Sequence, residues 1–229
     1  MLNFDNEDRA LIIGSSGGIG SAVVKLLRSQ LGEERVNTVN RQEAGFNLLE
    51  PESVKRIADL YPGPYRLIFD ATGGLEINEV PPEKTFKVLE SENMQNHFLL
   101  NTIGPALLIK HFYKALPKNR VSIFASLSAR VGSIQDNKLG GWVSYRASKA
   151  ALNQVIRCAA IELQRSHPNS ICVALHPGTV KTELTQRYVS RHHHVGPDEA
   201  AQNLINVIKK LTPKDSGGFF DYSGSAIPF

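Results

Sequence analysis

Leu11-Ile12-Ile13, followed at once by Gly14-Ser15-Ser16-Gly17-Gly18-Ile19-Gly20, is the stretch that decides the fold. The apolar run predicts a buried strand, and the pattern SAVVKLLRSQL over residues 21–31 predicts a helix. Glycines between a strand and a helix allow a tight turn and let free backbone N–H groups approach a pyrophosphate. The G-x-x-x-G-x-G spacing therefore predicts a dinucleotide-binding loop, with a glycine-rich turn that binds no ligand as the alternative. The predicted cofactor contacts here are Gly14, Ser16, Gly18, Ile19 and Gly20.

The rest of the chain keeps the alternation of short apolar runs and longer helical patterns. Further strands are predicted at 35–39, 65–71, 120–126 and 170–175, and further helices at 51–60, 91–116, 144–166 and 197–211. This rhythm predicts an α/β fold, a single Rossmann-type domain over 1–229 with a doubly wound parallel sheet and helices on both faces. Two loops, 73–85 and 177–197, interrupt it, and doubly wound sheets bind ligands in such loops.

Composition disfavours several classes of protein. The net charge of +4 is spread along the chain, so no basic stripe indicates nucleic-acid binding. Cys158 and Cys172 lie in apolar segments, which indicates reduced, packed thiols. The opening residues MLNFDNEDRA do not resemble a signal peptide, and no apolar stretch approaches the roughly eighteen residues of a membrane span. We expect a cytoplasmic protein that binds neither nucleic acid nor membrane.

The end of the second predicted strand bears on the choice of cofactor. NAD-specific folds carry an acidic residue there for the ribose hydroxyls, whereas this chain has Asn40 followed by Arg41. A guanidinium pairs with a 2′-phosphate in a charge-assisted contact. We therefore expect Asn40 and Arg41 to contact the cofactor and NADP(H) to be preferred over NAD(H), with an ordinary surface arginine as the alternative.

Tyr145 and Lys149 open a predicted helix, and their four-residue spacing places both side chains on one face. A phenol titrates near ~10 in water, and a neighbouring ammonium favours the phenolate and lowers its pKa. The pair is therefore suited to proton transfer at neutral pH. Taken alone, the Y-x-x-x-K spacing more often marks a solvated helix pair.

With LSARVGSI (127–134), GGWVSYRASKAALN (140–153) and LHPGTV (175–180), the sequence resembles the short-chain dehydrogenase/reductase family, and in particular its C-factor-like members, over essentially its whole length. The resemblance implies a catalytic tetrad of Asn, Ser, Tyr and Lys. Tyr145 and Lys149 match it directly, and Asn101 matches the residue that supports a proton-relay water. The serine departs from the pattern: alignment on Gly132 places Ala129 in the usual position, and we favour Ser128 as the catalytic serine with Ser126 as the alternative.

The resemblance also implies the remaining cofactor contacts. Asp70-Ala71-Thr72-Gly73 stands where the family usually has Asn-Asn-Ala-Gly, a turn on the adenine-ribose side of the cofactor. A Pro-Gly loop after the fifth strand orients the nicotinamide in the family. The cofactor residues so assigned are Asn47, Leu48, Ala71, Thr72, Gly73, Tyr145, Lys149, Pro177, Gly178, Val180 and Thr182.

Several other features have weaker interpretations. Residues 179–197 are expected to cover the substrate, and Tyr188 or the histidines at 192–194 could touch it. Three adjacent histidines cannot all reach one ion, so no metal site is predicted. Trp142 either lines the substrate mouth or serves packing or an interface with another subunit. The segment GGFFDYSGSAIPF (217–229) is typical of an edge strand, and a homodimer or homotetramer is expected.

The sequence thus favours an NADP(H)-dependent oxidoreductase that interconverts a small carbonyl compound and its alcohol, with Tyr145 as the general acid and base. A non-catalytic NADP-binding sensor or signalling protein of C-factor type is the first alternative, because the serine and the 70–73 turn are irregular. A nucleotide-sugar epimerase or dehydratase is the second, although those proteins usually carry G-x-x-G-x-x-G and a larger C-terminal lobe.

Overall fold

The computed structural model describes residues 4–5, 7–43, 45–182, 185 and 194–229. Within these ranges six strands alternate with six α-helices. The strands are β1 (Ala10–Ile13), β2 (Val36–Val39), β3 (Leu67–Asp70), β4 (Ser122–Leu127), β5 (Ser170–His176) and β6 (Phe219–Asp221). The helices are α1 (Gly18–Leu31), α2 (Pro51–Leu60), α3 (Ser91–Phe98), α4 (Gly104–Phe112), α5 (Val143–Ser166) and α6 (Pro197–Lys210).

The strands form one parallel sheet in the order β2-β1-β3-β4-β5-β6, which confirms the predicted doubly wound α/β fold. Side chains alternate across this sheet. In β1, Leu11 and Ile13 join a buried layer that includes Phe112 of α4 and Leu152 of α5. Ile12 joins the opposite layer, which is built largely from α1 and α6. The sheet is therefore covered on both faces, as its continuously apolar strands require.

The switch point of the sheet lies between β1 and β3. The chain leaves β1 toward β2 on one side, whereas β3 pairs with the other side of β1, with Ile13 opposite Asp70. Loops after the carboxyl ends of these two strands diverge and leave a crevice, where doubly wound folds bind ligands. The glycine loop after β1 and the turn after Asp70 therefore face one another.

The predicted long helix over 91–116 contains a π-helical turn at Leu99–Ile103, between α3 and α4. Pro105 has no N–H to donate to the carbonyl of Asn101 four residues earlier. The N–H of the preceding residue, Gly104, donates to the carbonyl of Leu99, five residues back. This turn of the helix therefore holds one extra residue. This widening places Asn101 at the irregular point of the helix, and π-turns of this kind are frequent at functional sites.

The C-terminal segment forms the predicted edge strand, β6, and then folds back on it. The N–H of Ile227 donates to Phe219 O at 2.8 Å, and Asp221 N donates to Ser225 O at 2.9 Å. The chain's own tail thus forms hydrogen bonds along the outer edge of β6.

The homodimer or homotetramer and the cytoplasmic location stay predictions.

Most of the expected substrate-covering segment lies outside the described residues, including Tyr188, His192 and His193. Its two ends are joined: Lys181 N donates to Val195 O at 2.9 Å, and Val195 N donates to Thr179 O at 3.1 Å.

Among the helices that the structure describes, none has the length and apolar character to cross a lipid bilayer.

Candidate active site

A cavity of about 1020 Å³ opens at the carboxyl ends of β1, β3, β4 and β5. It is lined by the glycine loop, the turn after β3, the start of α5 and the Pro-Gly loop after β5. Fifteen of the residues predicted to act in catalysis or cofactor binding lie on its wall: Ser16, Gly18, Ile19, Gly20, Arg41, Ala71, Thr72, Gly73, Ser128, Tyr145, Lys149, Pro177, Gly178, Val180 and Thr182.

Five other predicted residues lie off the cavity wall. Gly14 turns the chain at the end of β1, and Asn40 donates to Ser15 Oγ at 3.3 Å. The Asn47 side chain is exposed and donates to Glu50 at 2.8 Å, whereas Leu48 is a core residue packed against Gly104. Asn101 is fully buried behind the wall. Neither Asn47 nor Leu48 is brought to the cavity: Asn47 is exposed to solvent, and Leu48 packs in the core with residues of α2 and α4.

The glycine loop is shaped to receive an anion. Gly14 has a φ of +84°, and a Cβ there would lie 2.8 Å from the carbonyl carbon of Ala71. A Cβ on Gly20 would collide with Gly14 O, so α1 packs directly against the loop. The first turn of α1 carries no acidic residue, and Gly17 offers no side-chain cap. Its free N–H groups are thus available to a phosphate, and the loop fits a dinucleotide.

Lys149 projects from α5 to the end of β4. Its Nζ donates to Leu127 O at 2.9 Å, and its side chain is almost fully buried. Burial lowers the pKa of the Lys149 ammonium to about 8, against the opposing effect of the Asp70 carboxylate. Most of the Lys149 side chains therefore remain charged at neutral pH.

The structure corrects the expected pKa of Tyr145. The sequence predicted that Lys149 would lower it, but burial raises the pKa of the Tyr145 phenol above its ordinary value. The rings of His97 and Trp142 lie 5.9 Å and 6.3 Å from the Tyr145 ring, and the ammonium of Lys149 is directed to Leu127 O. Desolvation therefore dominates over attraction between the pair, and the phenol stays protonated at neutral pH.

Asn101 connects three elements beneath the cavity. Its Oδ1 accepts from Gly74 N at 2.9 Å, and its Nδ2 donates to Gly74 O at 3.0 Å. Nδ2 also lies 3.3 Å from Ser148 Oγ and 3.2 Å from His97 Nδ1. The His97 ring in turn lies 5.9 Å from the Tyr145 ring. Asn101 thus ties the turn after β3 to the helix that carries Tyr145.

The two candidate serines have different surroundings. Ser128 lies on the cavity wall, and its Oγ donates to Asn153 Oδ1 at 2.7 Å. Ser126 is buried in β4, and its Oγ donates to Asp70 Oδ2 at 2.6 Å. Of the two, Ser128 is the one near the cavity, while Ala129 also lies on the wall.

Asp70 is a fully buried carboxylate at the end of β3. Its Oδ1 accepts from Thr72 N at 2.9 Å and from Thr72 Oγ1 at 2.5 Å, and Ser126 donates to its Oδ2. Burial raises the pKa of Asp70, while these three donors and the charge of Lys149 oppose the shift. The turn 70–73 is thus held by this side chain in place of an asparagine.

The turn that leads into α5 is left-handed. Gly140, Gly141 and Trp142 have φ angles of +63°, +66° and +51°. A positive φ is uncommon for a bulky side chain and persists where the surroundings enforce it. The turn places the Trp142 ring on the cavity wall, 6.3 Å from the Tyr145 ring. This supports the interpretation of Trp142 as a residue of the substrate mouth.

Glu83 holds this turn and caps α5 from a distant loop. Its backbone carbonyl accepts from Trp142 N, and its Oε2 accepts from Ser144 N at 3.2 Å. Its Oε1 accepts from Ser144 Oγ and from Asn93 Nδ2. Sequence reasoning missed Glu83, because nothing in a capping residue about 60 positions away from its helix marks it locally.

The sequence assigned no role to part of the cavity wall, namely Leu75, Arg130, Val131, Asp136, Lys138, Leu139 and Arg146, and it placed His176 only as the first residue of the Pro-Gly loop. Arg130 and Arg146 stood inside the motifs that carry the family resemblance, so charged residues within those motifs were the available signal. His176 is half-buried, and desolvation lowers the pKa of its imidazole to about 4. Among the described residues, no three His, Cys, Asp or Glu side chains are grouped to hold a metal ion.

Comparisons with known proteins agree with this geometry. The family model described as short chain dehydrogenase matches residues 54–193. The 1-hydroxy-2-glutathionyl-2-methyl-3-butene dehydrogenase of Rhodococcus sp. (strain AD45) is 29% identical over 94% of this chain and 96% of its own. The C-signal of Myxococcus xanthus is 32% identical over 60% and 79%. The structure of NADPH-bound carbonyl reductase from chicken fatty liver has a TM-score of 0.79 and 25% identity over 96% and 98%.

Proposed function

Because this chain belongs to the short chain dehydrogenase family of oxidoreductases, we propose that it is an NADP(H)-dependent reductase that interconverts a carbonyl compound and its alcohol. One observation carries the proposal: Tyr145 and Lys149 lie on the wall of the same cavity as the glycine loop. A hydride donor held by the loop and a proton donor on α5 then meet one substrate carbonyl.

The cofactor is proposed to lie along the glycine loop, with its phosphates at the first turn of α1 and its nicotinamide near Pro177 and Gly178. A nicotinamide cofactor supplies the hydride when bound. Arg41 is exposed on the cavity wall, so its guanidinium is accessible to a 2′-phosphate. The carbonyl reductase from chicken fatty liver, which has a similar fold, binds NADPH, and this supports the same choice of cofactor.

Tyr145 is proposed to give its hydroxyl proton to the substrate oxygen as the carbonyl is reduced. Its raised pKa suits this direction, because the phenol remains protonated at neutral pH. The charged ammonium of Lys149 then stabilises the phenolate that is left. Asn101 holds the backbone of Gly74 and the Ser148 side chain, and is proposed to support the path by which Tyr145 regains a proton.

Ser128 is proposed to hold the substrate oxygen beside Tyr145. For this its hydroxyl proton must turn from Asn153 Oδ1 toward the substrate. Ser128 is supported over Ser126 by its position on the cavity wall, since Ser126 is buried against Asp70.

A non-catalytic NADP-binding sensor is the second candidate. The hydrogen bond from Ser128 to Asn153 and the alanine at 129 favour it, because both leave the substrate oxygen with fewer ready donors. The similarity to the C-signal of Myxococcus xanthus also favours it. The catalytic reductase is favoured over the sensor by the position of Tyr145, Lys149 and Asn101 around one cavity.

The experiment that tests the proposal is a titration with NADPH followed by fluorescence, and then by loss of NADPH absorbance with a panel of aldehydes, diketones and quinones. The enzyme is expected to bind NADPH and oxidise it with at least one carbonyl. Binding without turnover across the panel favours the sensor, and absence of binding contradicts the cofactor assignment.

A further inference from the structure

The part of the cavity beyond Tyr145 has its own chemistry. We call it the outer pocket and define it by the wall residues Arg130, Val131, Lys138, Leu139, Trp142 and Arg146. Three of these side chains are cationic and three are apolar or aromatic. Among the described residues, Asp136 is the one acidic residue on the cavity wall. The outer pocket therefore carries an excess of positive charge.

Arg130 is already neutralised by acidic partners. Its guanidinium lies 3.0 Å from Asp136 Oδ2 through Nη1 and 3.0 Å from Asp221 Oδ2 through Nη2. The Asp136 carboxylate is therefore committed to Arg130. The other two cations of the outer pocket, Lys138 and Arg146, do not form an ion pair with this carboxylate.

Arg146 bonds to backbone carbonyls alone in the part of the chain that the structure describes. Its Nε donates to Gly140 O at 3.2 Å and Gly141 O at 2.9 Å, and its Nη1 donates to Val131 O at 3.4 Å. Its side chain is half-buried, and burial lowers the pKa of its guanidinium with no carboxylate to oppose the shift. Carbonyl dipoles orient the group but leave its net charge uncompensated.

Lys138 is exposed on the same wall and forms no ion pair with any described residue. Val131, Leu139 and Trp142 line the same part of the cavity and add apolar surface beside the two cations, although the Leu139 side chain is largely exposed. Apolar walls lower the local dielectric constant and strengthen the attraction between a fixed cation and an anion that enters. The pocket thus offers charge, a planar guanidinium and an aromatic face to the same ligand.

We propose that the outer pocket binds an anionic group of the substrate, so that the preferred carbonyl compounds carry a carboxylate on an apolar or aromatic frame. Arg146 and Lys138 are the residues that contact this group. The predicted preference in turnover rests on the proposed function, whereas the predicted binding of the carboxylate does not. The observation that carries it is Arg146, a half-buried guanidinium with no acidic partner among the described residues.

The test compares 4-formylbenzoate with its methyl ester, two aldehydes of similar size that differ in charge. Turnover gives the ratio of the two kcat/KM values with NADPH. Binding is followed separately by tryptophan fluorescence, because Trp142 is the only tryptophan of the chain and lies in the outer pocket. Failure of the proposed function abolishes turnover of both aldehydes, whereas failure of this inference abolishes only the preference.

The carboxylate is expected to be preferred by about tenfold or more in binding and in kcat/KM, since a charge-assisted contact to a guanidinium is strong. The ratio should fall toward one in Arg146→Met and decrease in Lys138→Met, and it should decrease in high salt. Lys210→Met, which removes an exposed cation at the end of α6, is the matched control and should keep the ratio. An ester that binds as well as the carboxylate, or a preference that survives in both pocket variants, overturns the inference.

Discussion

Lys149 and Asp70 are a buried cation and a buried carboxylate beside the same cavity, and each favours the charged form of the other. Burial lowers the pKa of Lys149 to about 8, and Asp70 keeps it from falling further. The residue at position 70 therefore tunes the charge that the proposed mechanism places next to the Tyr145 phenolate.

Asp70→Asn is predicted to move the alkaline limb of the kcat profile to lower pH. Loss of the carboxylate removes the influence that raises the pKa of Lys149, so the ammonium loses its proton at lower pH. The measurement is the pH dependence of kcat for the wild type and the variant. Asp59→Asn, which removes an exposed carboxylate in α2, should leave the profile in place. An unshifted limb in Asp70→Asn would show that Asp70 does not tune Lys149.

Arg41→Ala is predicted to weaken NADPH binding far more than NADH binding. A charge-assisted contact contributes about 1.5–3 kcal/mol, which corresponds to a loss of roughly 10-fold to 150-fold in NADPH affinity. NADH, which lacks the 2′-phosphate, is the internal control. The dissociation constants of NADPH and NADH are measured by fluorescence. An equal loss of affinity for the two cofactors would refute the role of Arg41.

Ser128→Ala and Ser126→Ala are predicted to have different consequences. Ser128→Ala should reduce turnover, because Ser128 lies on the cavity wall and is proposed to hold the substrate oxygen. Ser126→Ala should mainly reduce stability, by about 1–3 kcal/mol, because it removes a donor from the buried Asp70 carboxylate. Turnover and the free energy of unfolding are measured for each variant. A loss of turnover confined to Ser126→Ala would reassign the catalytic serine.

Glu83→Ala is predicted to lower the melting temperature. Substitution removes a buried cap from the helix that carries Tyr145, and a lost helix cap costs about 0.5–2 kcal/mol. Burial by itself raises the pKa of Glu83, but hydrogen bonds from Ser144 and Asn93 outweigh it and hold the pKa below its ordinary value. A carboxyl with a depressed pKa stabilises the fold above its ordinary pKa and loses that contribution as pH falls below it.

The difference in melting temperature between wild type and Glu83→Ala should therefore shrink as pH falls below about 4.3, the ordinary pKa of glutamate. Thermal unfolding measured across that range checks the sign. Glu79→Ala, a change at an exposed residue of the same loop, serves as the comparison. A difference that grows as the pH falls would contradict the capping role.

The features that the sequence predicted correctly are local ones. The strand before Gly14 and the helix after it follow from the hydrophobic pattern, and the four-residue spacing of Tyr145 and Lys149 places both on the cavity wall. The parallel sheet follows from the same pattern, since short apolar runs separated by helices pair in parallel.

The features that it could not predict depend on contacts between distant segments. The raised pKa of Tyr145 comes from desolvation, which depends on everything packed around the phenol. The cap from Glu83 to Ser144 joins a loop to a helix distant in the sequence, with no shared local motif. The π-turn at Asn101 depends on Pro105 and on the hydrogen bonds to Gly74. Leu48 lies in the core because it packs against Gly104.

The most direct test of the central claim is Tyr145→Phe, assayed for NADPH binding and for turnover of the best carbonyl substrate found in the panel. The substitution removes one hydroxyl and keeps the ring. General acid catalysis contributes about 10²–10⁴-fold, so turnover should fall by at least about 100-fold while NADPH affinity stays within about twofold. Turnover that equals the wild type in this variant would contradict the assignment of Tyr145 as the proton donor.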